Sequence, residues 1–216
     1  MGVSILILWT CVPGACTREV FGTAADYRSV VTVRIDEDVY DFSNIRTYQL
    51  VATVDELMRR SKEKPEPLDT MDHTRDESIL ATVEAQLNAR GLVNVESLAD
   101  ETTGETPSPD VIVIAALLAE PWGYEGLVRF ESFNNQTVYY PGPPVEMEYD
   151  IHSVILTMVS PSVRVKDRPQ LFYALWSAGI HGSYSDMTAQ TIASGIKKAF
   201  AQSPYIKAAT SVGGEK

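Results

Sequence analysis

Cysteine is scarce in this chain. Of 216 residues 2 are cysteine, and both precede residue 17, so no disulfide can staple the body of the fold. The same scarcity removes a Cys–His nucleophile from the folded part. Basic residues are also short, 18 against 29 acids, for a net charge of −11. Such a field repels a polyanion, and a nucleic-acid partner is not expected. The 3 histidines include no H-x-x-x-H or H-E-x-x-H pair, which argues against zinc; no metal or cofactor is expected. Neither G-x-S-x-G nor a phosphate-cradling glycine loop occurs. No run of 18 apolar residues is present, which excludes a membrane-spanning helix within these residues. What is there, 44% hydrophobic and 22% charged, is the composition of a folded domain.

The first residues read as an address. Val3 to Val12 form an apolar run of 10, too short to span a bilayer and the right length for a signal-peptide core. Pro13-Gly14-Ala15-Cys16 follows, and this break into small residues before cysteine resembles the lipobox of bacterial lipoproteins. The resemblance implies cleavage before Cys16, palmitate-type acylation of Cys16 and stable membrane anchoring by more than one chain. Pro13 stands where leucine is usual, and no lysine or arginine precedes the apolar run. Ordinary cleaved secretion, a buried N-terminal strand and a Cys11–Cys16 disulfide are the alternatives. Thr17, in place of a retaining aspartate, points to the outer membrane, facing the periplasm. The expected organisation is a signal peptide over 1–15, a lipidated tether over 16–28, one domain over 29–206 and a flexible tail over 207–216.

Within the domain, Arg28 to Asp36 alternates and is β-branched, predicting a strand with Val31, Val33 and Ile35 on one face. A second strand is expected over Ile45 to Ala52, and a short helix is possible over Asp55 to Ser61. Ile79, Val83 and Leu87, four apart, predict a helix from about Thr74 to Arg90, stopped by Gly91. Leu92 to Glu96 reads as a short strand and 99–110 as a loop. Val111 to Ala119 is apolar on both faces, as a central buried strand is. Long strands follow over Tyr149–Val159 and Leu171–Gly179, with Trp176 in the core beside Phe172, Ala174 and Ala178. A last helix is expected to begin at Ser185 or Asp186, with the stripe Ile192, Ile196, Phe200. The fold class expected is α+β, a mainly antiparallel sheet with two helices packed on one face.

Several strings resemble the domain-of-unknown-function 4136 family of bacterial lipoproteins. They are Val39-Tyr40-Asp41-Phe42-Ser43-Asn44-Ile45-Arg46-Thr47-Tyr48, Leu87-Asn88-Ala89-Arg90-Gly91-Leu92, Asp110-Val111-Ile112-Val113, Ala174-Leu175-Trp176-Ser177-Ala178-Gly179 and the closing Ile196 to Pro204. The resemblance spans roughly residues 29–206. It implies a signal-bearing lipoprotein of α+β fold, and no established chemistry.

The candidates for chemistry are few. His73 reads as a solvated or capping residue, and His152 as a hydrogen-bonded residue at a strand's entry. His181, in Gly179-Ile180-His181-Gly182-Ser183, reads as a residue of the segment between strand and helix, and is the best catalytic candidate. The acidic run Asp36-Glu37-Asp38 reads as a solvated strand end. Pro121 to Tyr149 holds 7 of the 19 aromatics, close to the prolines and glycine of Pro141-Gly142-Pro143-Pro144. Loop aromatics make rigid contact surface, so Trp122, Tyr124, Tyr139 and Tyr140 are the expected binding residues; a hairpin packing its aromatics across strands is the alternative. The function expected is a non-enzymatic, lipid-anchored envelope domain that binds a protein or glycan. The rival is a periplasmic hydrolase or small-ligand enzyme using His181 with an acid such as Asp186.

Overall fold

The computed structural model describes residues 19–21, 30–35, 38–57, 73–100, 103–118, 127–140, 152–182 and 188–208. The elements run β1 (Glu19–Phe21), β2 (Val30–Arg34), β3 (Thr47–Leu50), β4 (Asp55–Leu57), α1 (Asp76–Asn88), β5 (Val93–Asn94), β6 (Val111–Leu118), β7 (Leu127–Phe130), β8 (Gln136–Tyr139), β9 (His152–Val165), β10 (Arg168–Gly182) and α2 (Ala189–Ala201). All ten strands join one sheet, whose main path is β1-β2-β10-β9-β6-β3-β5. The sheet is mixed, not mainly antiparallel. β1–β2, β2–β10, β9–β10, β6–β9 and β7–β8 are antiparallel. β3–β5, β3–β6, β4–β6 and β8–β10 are parallel. Parallel neighbours need a crossover, and α1, lying between β3 and β5 in the chain, provides one. Strand alternation carries no information on direction, so composition and periodicity could not reveal this.

Local chemistry accounts for the helices. Asp76 and Glu77 sit in the first turn of α1, where the helix dipole favours acids, and Ile79, Val83 and Leu87 are its buried stripe. Gly91 takes φ +79°, while Leu92 N donates to Leu87 O and Gly91 N to Asn88 O. That pair of bonds is the Schellman stop, and both Leu87 and Leu92 are in the core. The last helix starts later than Ser185 or Asp186: Thr188 is the N-cap, and its Oγ1 accepts from Thr191 N at 3.1 Å. Ile192, Ile196 and Phe200 are buried, as is Gly195.

Both helices cover one face of the sheet, and the second face has its own core. Val111, Val113, Ala115, Val154, Leu156, Met158, Trp176, Ala178 and Ile180 point to the helices. Ile112, Ile114, Ala116, Ile155, Val159, Phe172 and Ala174 point the other way, against Val128, Phe130 and Val138 of β7 and β8. The parity of β10 changes midway. Ala174 pairs with Val159 but Trp176 pairs with Met158, so two steps on β10 meet one on β9, a β-bulge at Leu175. Trp176 is fully buried, yet Phe172 and Ala174 do not share its face as the simple alternation predicts. β2 differs from expectation in the same way. Among the described side chains here Val30 and Ile35 are buried and Val33 is half-buried, and Ile35 N donates to Leu175 O at the bulge.

The second face curls toward closure. The pairings run β4-β6-β9-β10-β8-β7. Asp55 of β4, where a short helix was possible, then accepts from Ser132 N and Ser132 Oγ, both at 3.1 Å, beside β7. The hairpin joining β7 to β8 turns through Asn134 and Asn135 at φ 50° and 58°, the left-handed region that asparagine tolerates.

Candidate functional site

Tyr139 and Tyr140 lie at the end of β8, and Trp122, Tyr124, Cys16 and Asp186 lie outside the described residues. Of the expected binding segment 121–149, the described residues include a hairpin over 127–139. Successive strand residues point to opposite faces, and the two tyrosines divide accordingly. Val138 and Tyr140 face the second core, and Tyr140 Oη lies 2.6 Å from Thr157 Oγ1. Burial pushes the Tyr140 phenol up, with the Thr157 hydrogen bond opposing it. Tyr139 faces outward and meets Tyr173 of β10 edge-to-face, with ring centroids 5.4 Å apart and planes at 85°. The two are also register partners across β8 and β10.

Tyr173 belongs to a wider aromatic surface. Tyr40, Tyr173 and Tyr205 are half-buried and all pack on the rim of the helix-side core. Tyr40 stands edge-on to Phe42 at 5.1 Å and Phe42 edge-on to Tyr205 at 5.2 Å, with the Arg34 guanidinium 4.5 Å from the Tyr205 ring centre. Arg34 is the register partner of Trp176, three residues along β10 from Tyr173, which places both tyrosine groups on one stretch of β10. Burial, and then the charge of Asp110, pushes the Tyr40 phenol up to about 12. The edge-to-face contacts hold these rings in place. Tyr40, Tyr173 and Tyr205 were not singled out in the sequence, because nothing in their spacing brings them together.

His181 is on β10 and not in a connecting segment. It faces Ser153 of β9 as a register partner, and Ser153 Oγ and His181 Nδ1 share a hydrogen bond of 2.7 Å. Both are buried, at 6% and 1% exposure for His181 and Ser153. A Cβ on Gly179 would stand 2.7 Å from His181 Nε2, so the ring folds over a glycine that leaves it room. Burial lowers the His181 pKa from 6.5 to about 4, which keeps the imidazole neutral at physiological pH. His73 lies beside Asp76, its Nδ1 2.6 Å from Oδ2, at the start of α1. Among the described residues no three His, Cys, Asp or Glu side chains come together as a metal centre. Among them no helix is long and apolar enough to cross a membrane.

The strings that carry the family resemblance occupy structural positions. Asp110 Oδ2 accepts from Arg46 N, Thr47 N and Thr47 Oγ1 at 2.9, 2.9 and 3.0 Å, and Asp110 N donates to Thr47 Oγ1 at 3.0 Å. Partial burial pushes this carboxyl up, but the Thr47 and Arg46 amides outweigh it and hold it below the usual range. Asp41 caps the turn at Phe42–Asn44 through Ser43 N at 2.9 Å. Tyr48 is fully buried and donates to Asn88 Oδ1 at 2.8 Å, and Trp176 Nε1 donates to Ser203 Oγ at 2.9 Å.

No family model matches this chain, and no curated protein does. Among solved structures, the fold is similar to that of a DUF4136 family protein from Bacteroides thetaiotaomicron VPI-5482. The TM-score is 0.54 at 20% identity, covering 84% of this chain and 98% of that one. A PelC dodecamer from Paraburkholderia phytofirmans matches with a TM-score of 0.33 at 12% identity, covering 77% of this chain and 91% of that one. The first of these likenesses is one of fold: this α+β chain has the architecture of a solved DUF4136 family protein.

Proposed function

We propose that this chain is a non-enzymatic, lipid-anchored domain of the bacterial cell envelope, held in the outer membrane through Cys16 and facing the periplasm, that binds a protein or glycan. We also place it in the domain-of-unknown-function 4136 family, on the fold likeness together with the strings whose residues occupy the structural positions above. The observation that carries the binding reading is the surface of half-buried tyrosines Tyr40, Tyr139, Tyr173 and Tyr205, with rings locked edge-to-face. Rings already held in place lose little conformational entropy on contact, which favours binding. Expected partners are an envelope protein or glycan on this face and a membrane through the anchor.

The test pairs two adjacent residues. Tyr139→Ala should keep the wild-type melting temperature and lose crosslinked partners in the native envelope. Tyr140→Ala should lower stability by about 2–4 kcal/mol, as large truncations facing a core do. Recovery of the same partners by Tyr139→Ala and Tyr173→Ala would sink the binding surface. A hydrolase using His181 has one observation in its favour, the 2.7 Å approach of Ser153 Oγ to a neutral imidazole. It is the weaker reading, because both side chains are buried and each satisfies the other.

A further inference from the structure

β1 begins three residues after Cys16 and is the outermost strand at one end of the sheet's main path. We propose that this β1 edge is the membrane-facing side of the domain, held at the phospholipid headgroups, with the β5 edge pointing away. The inference rests on the lipid-anchor reading of Cys16. An extended chain gains at most about 3.6 Å per residue, so Glu19 lies within about 11 Å of the anchored residue. From β1 to β5 the path takes six inter-strand steps. At about 4.8 Å each, the far edge lies at most about 29 Å from the near one. Two further features suit this placement. An edge strand exposes a row of unpaired N–H and C=O groups that invites another chain, and a bilayer surface beside it blocks that approach. Arg18, two residues after Cys16 in the sequence, adds a cation of the kind that anionic headgroups attract.

The experiment uses full-length acylated protein in vesicles of phosphatidylethanolamine and phosphatidylglycerol containing lipid with a nitroxide-labelled headgroup. A fluorophore is placed through Val33→Cys on β2 or through Val93→Cys on β5, and incorporation of a palmitate analogue is measured on the same samples. Quenching should be several-fold stronger at position 33 than at position 93. A long glycine–serine insertion after Thr17 should abolish that difference without changing palmitate incorporation. Equal or reversed quenching on palmitate-labelled protein overturns the orientation and leaves the anchor standing, and a difference that survives the insertion overturns the short tether as what sets it. Absence of palmitate overturns the anchor reading and the orientation with it.

Discussion

His181 shows how one buried side chain can set a pH dependence. Its imidazole is packed over Gly179 and bonded to Ser153, and burial lowers its pKa from 6.5 to about 4. The unfolded chain therefore takes up a proton at this residue between pH 6.5 and about 4 that the folded chain refuses. Because the unfolded state binds more protons in that window, stability falls as pH falls through it. Each tenfold loss of proton affinity is worth roughly 1.4 kcal/mol, so at most about 3 kcal/mol is at stake. His181→Gln removes the titration. Urea midpoints measured between pH 7 and pH 4.5 should fall more steeply for the wild type than for the variant. Parallel slopes would show that the imidazole is not held neutral. Asp110 acts in the same sense at lower pH, since its carboxyl is held below the usual range by the Thr47 and Arg46 amides. Its contribution is complete at neutral pH and is lost as pH falls through its lowered pKa.

At the scale of elements, α2 lies so close to β10 that side-chain volume decides the contact. A Cβ on Gly195 would come within 2.4 Å of Ile180 Cγ2, a branch that is itself buried. Alanine has the better helix propensity by about 1 kcal/mol, which alone would make Gly195→Ala stabilising. Overpacking costs about 1–3 kcal/mol, so the steric effect should win and the variant should melt lower than the wild type. Ile180→Ala clears the space, and Gly195→Ala made in that background should be neutral or stabilising. A destabilisation of equal size in both backgrounds would show that the contact with Ile180 is not the cause. The bulge at Leu175 belongs to this scale as well, because it turns Trp176 toward the helices while leaving Ala174 on the second face.

For the whole molecule, the two cores give one sheet two different covers, helices on one side and the β7–β8 hairpin on the other. The Asp55 carboxylate, buried and bonded to Ser132, latches the second cover to β4. Asp55→Ala leaves Ser132 N without this acceptor, a loss of about 1–3 kcal/mol. Hydrogen exchange should then rise in β7 and β8 well before it rises in β6 and β9, which sit inside the sheet. Uniform acceleration across all strands would show that the hairpin does not open as a separate unit. The tyrosine surface follows from the same architecture, since β8 joins β10 on the edge that also carries β2, and so brings Tyr139 to Tyr173.

The amino-acid sequence by itself determined what depends on neighbours along the chain. Ile79, Val83 and Leu87, like Ile192, Ile196 and Phe200, mark helix faces because residues four apart share a side of the turn. Gly91 marks a stop because its conformation is local, and the apolar run from Val111 marks a strand covered on both faces. Tertiary structure decided what depends on distant partners. Strand direction followed from crossovers, so the sheet is mixed. The bulge at Leu175 arose from pairing with β9 and changed which residues share Trp176's face. Residues 55–57 became a strand because β6 offered them a parallel edge. The Ser153–His181 pair and the meeting of Tyr139 with Tyr173 join residues 28 and 34 apart in the chain. No periodicity encodes such pairs, because side-chain periods act over a few residues and sheet registry acts across the whole fold.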